Sequence, residues 1–181
     1  MDGSPTWGRF RPVGIEGAPD RVRRAVEALS IRPADRVLEV GCGNGWAVSL
    51  ICDKLRSGRI LAIDRSTPMI AQALRRNDKH IASGKSRFRA IDLIALSVGE
   101  TFDKIFAVNV NTFWRRPVPR ELALLKKVLR PKGFLYLFFE SPAPRADDLG
   151  ARVVKALEPN GWLADSAHLD GKVMMVTAQP A

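Results

Sequence analysis

The stretch "VLEVGCGNGW", residues 37–46, does most to limit what this chain can fold into. An apolar strand pattern runs straight into Gly41, Gly43 and Gly45 at alternate positions, and a helical pattern starts at Trp46. A strand, a glycine loop and a helix in that order open a βα unit, and the chain beyond repeats the alternation. "RVLEV" (36–40), "RILAID" (59–64), "SRFRAI" (86–91), "DKIFAVNV" (103–110) and "FLYLFFE" (134–140) read as strands. Helices are expected over 19–30, 46–55, 67–76, 93–97, 120–129 and 147–157. Thr67 is expected to cap the third of these, with Pro68 at its first position, where a missing N–H costs nothing. Pro131 and Gly133 are expected to stop the helix that begins at Arg120. "DSAHL" and "KVMMVTA" read as two strands joined at Asp170–Gly171, a strong hairpin signal.

Five βα repeats imply an α/β fold: one doubly wound, mostly parallel sheet with helices on both faces. The continuous apolar character of the first, fourth and fifth strands suits central, doubly covered positions. Residues 1–18 are rich in Gly and Pro and show no periodicity. They are expected to form a flexible lead carrying Trp7 and Phe10 and to serve as a lid, with a single domain over 19–181. No second domain, repeat or low-complexity block is expected.

The 181 residues suit one domain with a sizeable core. No apolar run approaches the roughly 20 residues needed to span a bilayer, and the N-terminus has no secretory pattern. A cytoplasmic protein without membrane contact is therefore expected. The two cysteines, Cys42 and Cys52, give neither a disulfide framework nor metal-ligand spacing, so no metal is expected. The net charge of +10 favours anionic partners. It concentrates in residues 65–89 and 115–132, each with seven Lys or Arg against one acid. These stretches read either as solvated helix faces or as a phosphate-tracking surface.

The glycines do not fit the dinucleotide fingerprint, because they follow G-x-G-x-G with Trp46 next, and no Gly-Lys-Ser/Thr completes a phosphate loop. Glu39 would repel a phosphate and suits a cationic ligand instead. Asp64 ends the second strand beside the loop, where a carboxylate can accept both ribose hydroxyls. Asp92 ends the third, within reach of an exocyclic amine. Three acids at successive strand ends describe a nucleoside with a positively charged tail, S-adenosylmethionine.

The ordered segments "VLEVGCGNG", "AIDRSTPMI", "RAIDL", "FDKIFAVNVNTFW" and "ELALLKKVLRPKGFLYL" make the chain resemble the class I, seven-strand S-adenosylmethionine-dependent methyltransferases, small-molecule branch, over about residues 20–178. The resemblance implies a sheet in the order 3-2-1-4-5-7-6 with the last hairpin strand antiparallel. It implies that Glu39, Gly41, Gly43 and Gly45 face the methionine part, that Asp64 holds the ribose, and that Met69 packs near the adenine. It also implies that Asp92 and Leu93 bind the adenine edge and that Asn109 lines the floor beneath the sulfur. Cys42 and Arg65 stand with them in the cofactor set.

Methyl transfer from a sulfonium is an in-line displacement of an already activated methyl, so alignment of the acceptor is the main task. No obvious general base is present. Glu140 and His168, at the ends of the fifth and sixth strands, are the candidates for a substrate-directed catalytic role; His80 reads as surface. Phe113 and Trp114, with Trp7, are expected to wall the acceptor. "NVNT" at 109–112 is not the Asn/Asp-Pro-Pro-aromatic signature of base amino-methylating enzymes, and neither cysteine follows the fourth or fifth strand. The first reading is a methyltransferase for a small metabolite, as monomer or homodimer. An RNA methyltransferase using the basic surface is the alternative, and an inactive cofactor-binding regulatory subunit is the second.

Overall fold

Seven strands hydrogen-bond into one sheet because each carries an unbroken or alternating apolar run with few turn formers inside it. The structure, a computed structural model, describes residues 17–97, 99–140, 145–169 and 172–181. The strands are β1 (Arg36–Val40), β2 (Arg59–Asp64), β3 (Ser86–Ala90), β4 (Phe102–Val108), β5 (Leu129–Glu140), β6 (Trp162–His168) and β7 (Val173–Pro180). Their order is β3-β2-β1-β4-β5-β7-β6. The first five run parallel, and β7 lies antiparallel to both β5 and β6. The sequence expectation of a doubly wound sheet in this order, closed by a hairpin, holds. The Asp170–Gly171 turn lies outside the described residues, but beside it the Leu169 N–H donates to the Val173 carbonyl at 2.8 Å.

The helices are α1 (Asp20–Ala28), α2 (Trp46–Lys54), α3 (Thr67–Arg76), α4 (Asp78–Ala82), α5 (Thr112–Arg115), α6 (Pro119–Val128) and α7 (Arg145–Leu157). Side-chain alternation along the strands splits the core between the two faces. Leu38, Leu61, Ile105 and Leu137 pack with α6 and α7. Their neighbours Val37, Ile60, Phe106 and Phe138 pack with α1 and α2. Each such side chain stabilises the fold by roughly 1.5–3 kcal/mol when fully buried.

Three local readings need correction. The α3 cap is Ser66, whose Oγ accepts from the Met69 N–H at 3.4 Å, and Thr67 is already helical. Asp64 Oδ1 accepts the Ser66 N–H at 2.8 Å, which holds Ser66 outside the helix. Pro131 and Gly133 do not stop α6. It ends at Val128, Leu129 already pairs with Phe102, and the two residues fall in an irregular insert before Phe134 pairs with Lys104. A Cβ on Gly133 would stand 2.9 Å from the Asp103 carbonyl, so that glycine admits a close strand approach. The short helices α4 and α5 escaped sequence reading because neither is long enough to show a period.

β1 pairs with β2 on one side and with β4 on the other. The strand order reverses between β1 and β4, and a crevice opens beyond their carboxyl ends. Glu39, Asp64 and Asp92 lie around it.

Candidate functional site

The glycine loop follows from three backbone requirements. Beyond β1 the chain bends toward β2, with the Gly41 and Cys42 N–H groups both donating to the Ile63 carbonyl, at 2.8 and 3.1 Å. The Gly43 N–H donates to Asp64 Oδ2 at 2.8 Å. Gly45 then starts α2 at φ 81°, where a Cβ would stand 2.7 Å from Asn77 Nδ2 and 2.9 Å from Ala73 Cβ. At Gly43 (φ 52°) an added Cβ meets nothing within 4 Å, so the space in front of that backbone is open.

Two residues that sequence reading did not find hold this loop from behind. Asn77 is fully buried; its Nδ2 donates to the carbonyls of Gly45 (3.1 Å) and Ala73 (3.0 Å), and its Oδ1 accepts from Ser49 Oγ (2.9 Å). Arg76 donates to the Asn44 carbonyl and lies 3.9 Å over the Trp46 ring. The Arg-Arg-Asn run at the end of α3 looks like an ordinary solvated helix terminus, and only the tertiary packing of α3 against α2 reveals its task.

Glu39 sits on β1 between Ala62 of β2 and Phe106 of β4, both fully buried. It is 3% exposed, and its Oε2 has no hydrogen-bond partner. Burial, with Asp64 nearby adding to the effect, pushes its carboxyl up to about 8. Asp64 is half-buried, and each of its oxygens accepts one backbone N–H, from Gly43 and Ser66. A carboxylate has about four acceptor positions, so two remain for a ligand. Asp92 caps the turn at 93–95 through Oδ1, which accepts the Ile94 N–H at 3.2 Å.

These groups line two adjoining cavities. A cavity of about 360 Å³ has Gly41, Asp64, Arg65, Asp92, Leu93 and Asn109 in its wall. A second, of about 210 Å³, is bounded by Glu39, Cys42, Gly43, Asn44 and Trp46, with Pro19 and Arg21 on its outer side. Gly41, Val108 and Asn109 belong to both. Asn109 takes a left-handed φ of 55°; its N–H donates to the Phe138 carbonyl, and its Oδ1 accepts the Glu140 N–H at 2.7 Å. That pair of bonds ties the ends of β4 and β5 together at the junction of the two cavities.

Other sequence candidates lie elsewhere. Phe113 is 4% exposed and reaches the larger cavity, but Trp114 packs edge-on against Phe139 at 4.6 Å and faces a third cavity instead. Met69 is half-buried and lines neither of the first two cavities. Glu140 is exposed, pairs with Arg21 at 3.6 Å, and is absent from the cavity walls. His168 is exposed at the end of the edge strand β6, two strands from β5. Trp7 and the rest of 1–16 lie outside the described residues. Glu121, by contrast, was not singled out by sequence. It is 6% exposed, lines the larger cavity and pairs with Arg116 at 2.6 Å. Among the described residues no cluster of His, Cys, Asp and Glu could hold a metal ion, and no helix is long and apolar enough to cross a membrane.

A buried, unpartnered carboxylate at one end of a continuous cleft, and two acids with free acceptor positions along it, suit a ligand with a cation at one end and hydroxyl and amine donors further on. Together with the strand order, this arrangement is that of the class I S-adenosylmethionine-dependent methyltransferases. The chain belongs to the methyltransferase domain family, whose model matches residues 37–133. It is similar to a trans-aconitate 2-methyltransferase from Azoarcus sp. (strain BH72), at 28% identity over 178 residues, 89% of this chain and 67% of that protein. A malonyl-[acyl-carrier protein] O-methyltransferase from Priestia megaterium is 30% identical over 99 residues, 55% of this chain and 34% of that protein. The chain thus spans between about a third and two thirds of these curated relatives. A solved S-adenosylmethionine-dependent methyltransferase from Aquifex aeolicus shares the fold with a TM-score of 0.74 at 19% identity, covering 94% of this chain and 98% of that one. S-adenosylmethionine is the cofactor of the class.

Proposed function

We propose that this chain transfers a methyl group from S-adenosylmethionine to a small organic acceptor. The observation that carries the reading is Glu39: an acid buried on both flanks, with one oxygen left unbonded, in the wall of a cavity. A buried polar atom without a partner is costly, by about 1–3 kcal/mol, unless a ligand completes it. An α-amino group is the complement it asks for. Gly41, Cys42 and Gly43 then lie along the methionine chain, Asp64 takes the ribose hydroxyls with its two spare acceptor positions, and Asp92 with Leu93 meets the adenine edge. Asn109 stands at the junction of the two cavities, beneath the sulfonium.

When bound, S-adenosylmethionine supplies an activated methyl that an acceptor lone pair displaces in line. The chain's own residues bind, orient and exclude water. An acceptor that is already anionic needs no base. The relative named for trans-aconitate supports an acceptor of modest size.

The basic stretches give RNA less support than their charge suggests. Arg76, Lys85 and Arg87 of the first, and Arg116, Lys126 and Arg130 of the second, are engaged with carbonyls or acids of the chain itself. The deciding experiment supplies labelled S-adenosylmethionine with a panel of small organic acids and, separately, with RNA across a salt series. Methyl transfer to a small acid, with weak and sequence-blind RNA retention, is expected. Transfer to RNA with steep salt dependence would overturn the small-acceptor reading. Cofactor binding without transfer to any acceptor would favour a regulatory role.

A further inference from the structure

A third cavity, of about 470 Å³, lies between the segment 113–118, the first turn of α6 and the α7 helix. Its size is within the roughly 300–1,000 Å³ typical of small-molecule sites. Its floor is apolar and buried: Val118, Leu122, Leu137, Val153 and Leu157 are each 6% exposed or less. Its rim is cationic. Arg115, Arg116 and Arg152 all line it, and among the described residues no acid does. Among the described residues Arg116 is the one of the three drawn off by a carboxylate, Glu121, which lies in the neighbouring cavity wall. Phe113 and Arg116 are common to this cavity and to the larger of the two assigned to the cofactor.

An apolar trough closed by arginines is unbalanced as it stands. The floor gains by covering with hydrocarbon, and guanidiniums without a facing acid gain by an anion, for which their planar fork suits a carboxylate. The trough meets the larger cofactor-side cavity at Phe113 and Arg116, so the near end of an occupant faces that cavity. We propose that this trough is the acceptor site, and that the acceptor is a carboxylate carried on an apolar body, the body lying on the Leu122–Leu157 floor and the carboxylate on Arg115 and Arg152. This inference rests on the proposed methyltransferase activity.

The test is calorimetric and uses decanoate as the acceptor mimic. Wild-type protein is first titrated with S-adenosylhomocysteine, which examines the cofactor reading alone. The saturated protein is then titrated with decanoate, with butyrate and with decylammonium, and decanoate is repeated on Arg152→Glu and Arg115→Glu. Both substitutions are at exposed positions and leave the core untouched. Saturable decanoate binding is expected, weaker for butyrate, absent for decylammonium, and reduced by about tenfold or more in each variant, since charge reversal turns attraction into repulsion. Equal binding of decanoate and decylammonium, no decanoate binding, or full affinity in both variants would overturn the assignment. If S-adenosylhomocysteine binds and decanoate does not, the trough falls and the methyltransferase reading stands. If S-adenosylhomocysteine fails to bind, the acceptor role falls with it.

Discussion

Glu39 is a carboxyl placed where an ion is expensive until a cation arrives. In the free protein its proton is held up to about pH 8 by burial, with Asp64 contributing further. At neutral pH the group is therefore mostly protonated, and an ammonium group favours the ionised form. Cofactor binding should then release close to one proton near neutrality. Affinity for S-adenosylhomocysteine should rise between about pH 6 and pH 8 and level off above. Calorimetry in two buffers of different ionisation enthalpy measures the proton count, and Glu39→Gln should abolish it and flatten the pH profile. The free protein shows the opposite trend. A carboxyl raised by folding contributes stability below its unfolded value and loses it as pH rises through about 8, so the wild type should lose stability over that range relative to Glu39→Gln. At Gly43 and Gly45 the same substitution should have different consequences. Both have positive φ, which costs alanine roughly 1–2 kcal/mol. Gly43→Ala adds a methyl only to open space, so it should fold and lose cofactor affinity. Gly45→Ala also meets Asn77 and Ala73 and should lower the melting temperature more. Thermal melts beside ligand titrations separate the two.

At the scale of elements, α3 does more than pack. Arg76 and Asn77 at its C-terminal end hold the loop between β1 and α2. Asn77→Ala removes three hydrogen bonds, two of them buried, and a loss of about 2–3 kcal/mol in chemical denaturation is expected. A loss below about 0.5 kcal/mol would show the network to be incidental. Arg76→Glu should weaken cofactor binding through the loop, unlike the same reversal at exposed Arg75. These contacts mark the boundary of what sequence conveys. β1, β2, the glycine loop and the acids at 39, 64 and 92 could be read because each is a local signal: a period, a turn residue, a strand end. Asn77 could not be, because its meaning is a distance to Gly45 across 32 positions. Glu121 was obscured in the same way, by an amphipathic helix pattern that does not say which turn lines a cavity. Trp114, expected after β4 as an acceptor wall, packs edge-on against Phe139 and lines the third cavity, while the adjacent Phe113 lines both that cavity and the larger of the first two.

Across the whole molecule, the sheet order brings three acids from separate strands to one crevice, within a chain whose net charge is +10. A net positive charge of this size favours anions in general. Ligand that binds only the folded state adds stability by mass action, about 2.7 kcal/mol at a hundredfold excess over its dissociation constant. Saturating S-adenosylhomocysteine should therefore raise the melting temperature by several degrees. The central claim is that one continuous cleft, from Glu39 past Asp64 to Asp92, holds S-adenosylmethionine. It is tested most directly by calorimetric titration of wild type and Asp64→Ala with S-adenosylhomocysteine, with NAD as the competing dinucleotide. The account predicts saturable one-to-one binding by the wild type, weakened by about tenfold or more in Asp64→Ala because charge-assisted bonds of roughly 1.5–3 kcal/mol are lost, and no appreciable binding of NAD. Tight NAD binding by the wild type, or S-adenosylhomocysteine affinity unchanged in a folded Asp64→Ala, would contradict it.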